Sequence, residues 1–158
     1  MSNSRIKTPC IGLCSTVYGD LVCRGCKRFH HEVVNWNLYD DAEKRAVWQR
    51  LESLLVQVVA AKLEVFDPQR LRSQLEQRQI RFVERQSPYC WAYQLIARGA
   101  RMIQQLDAYG IALLPEFRDS PLPLLRDAID REYFLLSEAH YERYIAPRFL
   151  IEGVEQRV

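Results

Sequence analysis

No stretch of the sequence approaches the run of about eighteen apolar residues that a membrane-spanning helix needs. Its opening, Met1-Ser2-Asn3-Ser4-Arg5-Ile6-Lys7, also lacks the hydrophobic core of a secretory signal. These absences predict a cytoplasmic protein with no membrane partner. Lysine is scarce, four residues against eighteen arginines, a bias toward bidentate anion contacts and stacking rather than simple solubility. Strand signals are nearly missing, and no internal repeat or low-complexity tract is present. Serine-hydrolase, phosphate-loop and dinucleotide fingerprints are also absent, so the residues give no support to an enzyme.

What the sequence does contain is 158 residues, 48% apolar and 27% charged, the balance of one globular domain or a domain with a small appendage. At this length folding buries roughly two thirds of the unfolded surface, enough for a core without disulfides. The cysteines therefore need another account. Net charge is only +2, but it is unevenly spread. Residues 1–39 carry five basic and two acidic side chains, 67–101 carry seven and three, and 102–158 carry six and ten.

Residues 1–29 sustain no helical period and hold three of the six glycines and four of the five cysteines. From Asp40 the pattern changes. Val47, Leu51, Leu54, Leu55, Val58, Val59 and Leu63 recur at three- and four-residue spacing behind a capping-box pair, Asp40 and Glu43, and predict a helix over about 41–66. Asp67-Pro68 and Ser87-Pro88 each read as an N-cap followed by proline at the first helical position, predicting helices to about Arg85 and Ala108. A further helical period runs from Leu124 to Ile145. The fold class expected is all-α, a helical domain over 40–158 with a loop-built module over 1–39.

Cys10 and Cys14 are separated by three residues, Cys14 and Cys23 by eight, and Cys23 and Cys26 by two. In a reducing compartment two close pairs joined by a short loop point to metal ligands rather than disulfides, because four thiolates close a tetrahedral site. Gly12 and Gly25 permit tight turns within each pair. Lys7, Arg24, Lys27 and Arg28 offset the negative charge of such a centre. Four thiolates suit zinc and iron–sulfur clusters alike, so Zn2+ and an iron–sulfur cluster both stand, zinc slightly ahead.

Thr8-Pro9-Cys10-Ile11-Gly12-Leu13-Cys14, Cys23-Arg24-Gly25-Cys26-Lys27-Arg28, Glu32, Trp36 and Ala42-Glu43-Lys44-Arg45-Ala46-Val47 resemble the small bacterial family called domain of unknown function 1289, whose members are often labelled predicted iron–sulfur proteins. The resemblance covers about residues 8–55. It implies a cysteine-ligated metal centre packed on a helix, with Cys10, Cys14, Cys23 and Cys26 as its ligands, and little about activity.

Other candidates are weaker. His30 and His31 read as polar residues in the first turn of the helix holding Trp36. Cys90 reads as a small buried residue beside Trp91 and Tyr93. Glu132, Glu138, His140 and Glu142 lack the Glu-x-x-His spacing of a carboxylate di-metal site and read as a solvated acidic face. Arg70, Arg78, Arg81 and Arg85 fall within about 80° of arc if one helix carries them all, with Phe82, Tyr89, Trp91 and Tyr93 nearby, a pattern suited to an RNA backbone and stacked bases. Internal ion pairing is the competing account. The functional expectation is a four-cysteine metal-binding adaptor or regulatory protein whose partner is a protein or RNA. An iron–sulfur redox or electron-transfer protein is the alternative.

Overall fold

The computed structural model describes residues 6–149. These fall into two compact units, 6–51 with 133–149, and 52–132. In chain order the elements are α1 (His30–Asn35), α2 (Asp41–Ala60), β1 (Leu63–Val65), α3 (Pro68–Gln77), α4 (Pro88–Gly99), β2 (Ile111–Leu113) and α5 (Leu122–His140). A π-helical turn, Tyr141–Ile145, continues α5.

The predicted caps form as the local chemistry requires. Asp40 and Glu43 exchange hydrogen bonds as a capping box, the Glu43 N–H donating to Asp40 Oδ1 at 2.8 Å and the Asp40 N–H to Glu43 Oε1 at 3.2 Å. Asp67 accepts from the Arg70 N–H and Ser87 from the Tyr89 N–H, each followed by proline at the first helical position.

Unit 52–132 buries Leu54, Leu55, Val58 and Val59 of α2, Leu71 and Leu75 of α3, Trp91, Leu95 and Ile96 of α4, and Leu125 and Ile129 of α5. The chain is mostly helical but not entirely so. β1 and β2 pair antiparallel with Glu64 opposite Ala112, where helix was expected to continue to Phe66. A turn at Ala61–Lys62 ends α2, and Leu63 becomes a fully buried strand residue. Gly110 makes the return possible: its φ is +75°, and a Cβ there would overlap the Asp67 carbonyl oxygen.

The helix that opens at Asp67-Pro68 also stops early. Gln79 takes a left-handed φ of +56°, and the Ile80 N–H reaches back to the Leu75 carbonyl at 3.0 Å, the six-to-one bond of a Schellman stop. Arg81 and Arg85 therefore lie beyond α3, which removes the shared helical arc expected for the four arginines. Similarly α4 ends at Gly99, and Leu106–Tyr109 forms a separate 3-10 turn.

Unit 6–51 with 133–149 is built around a short hairpin. Val22 and Phe29 form an antiparallel bridge, flanked by hydrogen bonds from the Cys23 N–H to the Arg28 carbonyl and from the His30 N–H to the Leu21 carbonyl, both 2.8 Å. Val22 and Phe29 share a core cluster with Phe134 and Tyr141, against which Ile145 and Ala146 pack. The carboxy-terminal helical segment thus supplies apolar cover to the cysteine hairpin. Among the described residues, no helix is long and apolar enough to cross a membrane.

Candidate metal centre

The hairpin turn carries Cys23 and Cys26, both buried. The Lys27 N–H closes the turn onto the Cys23 carbonyl at 2.8 Å, and Lys27 itself takes a φ of +64°. Burial alone raises the Cys23 thiol, but the backbone N–H groups of Cys26, Ser15 and Gly25, together with the Cys26 thiol, outweigh it and hold Cys23 below the ordinary value. For Cys26 burial wins, pushing the thiol up against the hydrogen bond and charge of Arg28. A turn that buries two thiols three positions apart has the donor chemistry of a thiolate-held metal.

The loop bearing the first cysteine pair clasps this turn. Cys23 Sγ donates to the Leu13 carbonyl at 3.3 Å, and the Arg24 N–H donates to Ser15 Oγ at 2.8 Å. A Cβ on Gly25 would overlap that same Leu13 carbonyl oxygen, so only glycine lets the two segments meet. Cys14, between the two clasping residues, is half-buried with its sulfur 3.0 Å from Thr16 Oγ1. Cys10 is exposed, and its sulfur accepts the Gly12 N–H at 3.4 Å. The structure therefore brings Cys23 and Cys26 together. Among the described residues, no three Cys, His, Asp or Glu side chains are grouped to hold one ion.

Around the hairpin, cations rest on aromatic rings. Arg24 lies 4.5 Å over Phe134, Lys27 5.3 Å over Tyr133, Arg28 5.1 Å over Trp36 and Arg50 3.9 Å over Phe29. Lys27, only 1% exposed, also donates from Nζ to the Arg24 and Gly25 carbonyls within the cysteine turn. Arg50 forms a two-pronged ion pair with Glu32, both bonds 2.6 Å, and Glu32 in turn accepts the Phe29 N–H at 2.9 Å. This chain of contacts ties α1 and α2 to the hairpin. The sequence gives no periodic signal for it, because Glu32 and Arg50 lie eighteen residues apart on two separate helices.

His31 and His140 both stack near Phe29, at 5.9 and 6.1 Å between ring centroids. Burial lowers the pKa of each. Cys90 lies in the other unit, buried, with its thiol pushed up to about 12 by burial and by Glu52. Of the four arginines proposed for RNA, Arg70 pairs with Asp67 and donates to the Asp107 carbonyl, and Arg78 lies 5.0 Å over Tyr109. Arg81 and Arg85 are exposed.

Residues 8–55 match the family model described as a protein of unknown function, DUF1289. The match spans the cysteine loops, α1 and the first part of α2. No curated protein and no solved structure matches the chain.

Proposed function

We propose that this is a cytoplasmic metal-binding protein in which Cys10, Cys14, Cys23 and Cys26 hold one centre, zinc first and an iron–sulfur cluster as the alternative, with a structural rather than catalytic role. The observation that carries this reading is the clasp: Leu13 and Ser15, the neighbours of Cys14 in sequence, both hydrogen-bond to the Cys23–Arg24 corner of the turn. Bound metal would cross-link the two loops, a role these loops need because they contain no extended apolar period of their own. An adaptor role toward a protein partner is supported by the same segment, which exposes Leu13 by 70%, Val17 by 74% and Tyr18 by 89%. The RNA reading has less support, since Arg70 and Arg78 are engaged within the fold.

Elemental analysis after anaerobic purification tests the assignment. Cys23→Ser is expected to lose most of the metal and Cys90→Ser to keep all of it. Equal loss in both variants would sink the ligand set. A colourless protein with zinc identifies the structural ion, whereas a brown one with iron and sulfide moves the function to the redox alternative.

A further inference from the structure

Four basic residues neighbour the cysteine loops in sequence, and the structure gives them different tasks. Arg24 is spent on Asp20 and Phe134, and Lys27 Nζ on backbone carbonyls of the turn, while Lys7 is exposed and its carbonyl accepts the Trp48 indole N–H at 2.9 Å. Arg28 reaches a sulfur, donating from Nε to Cys26 Sγ at 3.3 Å. It is 4% exposed.

A guanidinium stays charged under all ordinary conditions, and burying it against a neutral group costs heavily. Arg50, the other inward-facing arginine of this unit, meets that need with the Glu32 carboxylate. Among the described residues, no carboxylate lies within ion-pair distance of Arg28, whose recorded partners are the Cys26 sulfur and the Trp36 ring. A neutral thiol is a poor acceptor for such a charge, whereas an anionic sulfur makes a charge-assisted hydrogen bond. A centre of four thiolates on a divalent ion carries net negative charge, which a buried cation on one ligand offsets.

We propose that Arg28 is a positioning residue for the metal centre, fixing the Cys26 sulfur and balancing its charge through the Nε–H to Sγ hydrogen bond. This rests on the thiolate-held metal proposed above. The guanidinium also lies over Trp36, so a packing role is the rival to be separated by experiment.

Zinc affinity is measured by competition with a chromophoric chelator, and sulfur bonding by the charge-transfer spectrum of the cobalt(II) form. Arg28→Gln is expected to weaken zinc binding about ten- to a hundredfold. Its cobalt band should move to longer wavelength, because a sulfur that loses a cationic donor gives up its electrons more easily. Arg28→Lys, which keeps the charge but not the planar fork, should shift the band the same way by less. In a Cys26→Ser background Arg28→Gln should add no further loss. Parental affinity with an unshifted band in Arg28→Gln overturns the assignment, as does an equal loss with and without the Cys26 sulfur. Should Arg28→Gln fail to fold by circular dichroism, an unshifted band in Arg28→Lys overturns it instead. A parent chain that takes up neither zinc nor cobalt overturns the metal reading together with it, so the two failures are distinguishable.

Discussion

Gly25 has no room for a methyl group, because the Leu13 carbonyl oxygen occupies the place where a Cβ would stand. Gly25→Ala must therefore part the two cysteine loops, and we expect a loss of about 2 kcal/mol of stability, measured by thermal melting, with weakened metal retention. At Phe29 the relevant residues are His31 and His140, whose pKa values are lowered by burial from 6.5. Arg50 opposes protonation of both, Glu32 favours it, and His30 opposes it at His31. Because the folded state binds these protons less readily than the unfolded chain, their contribution to stability is full above pH 6.5 and is lost as pH falls through the lowered folded values. Melting temperature should thus decline between about pH 7.5 and about pH 5.5, and the decline should flatten in the His31→Gln, His140→Gln double variant. An unchanged slope in that variant would assign the acid sensitivity to other groups.

The ends of helices separate what local sequence encodes from what the tertiary fold imposes. The starts of α2, α3 and α4 were legible, since aspartate or serine at the cap with proline or a reciprocal glutamate is a signal contained within four residues. The stop of α3 was not, because the left-handed position that ends it is held by Gln79 rather than glycine. Gln79→Gly should relieve that conformation and raise stability by about 1 kcal/mol, visible as a higher melting temperature; a fall would show that the glutamine side chain contributes more than its backbone costs. The strands escaped notice for another reason. Leu63-Glu64-Val65 continues the apolar period of α2, and its partner Ile111-Ala112-Leu113 lies far along the chain, so only the pairing marks either as extended. At the cysteines the spacing marked the turn in advance, whereas the Leu13 and Ser15 clasp depends on a meeting of loops that no periodicity encodes.

For the molecule as a whole, the division into two units sets how far loss of the proposed metal should spread. The cysteine hairpin shares its apolar cluster with Phe134 and Tyr141, so chelation is expected to raise hydrogen exchange over 21–30 and 133–149. Unit 52–132, with its own buried leucines and isoleucines, should keep its protection, and helical circular dichroism should fall only slightly. Uniform deprotection of both units would show that the metal holds the entire fold. The composition of the first unit, from two segments separated by 52–132, has a further consequence on the ribosome. The four cysteines emerge early, but Val22 and Phe29 stay without their aromatic cover until Phe134 and Tyr141 have been synthesised and released from the exit tunnel. On the metal reading proposed above, the thiols would be open to metal delivery throughout translation of the intervening unit, and completion of the chain would close the door behind the ion.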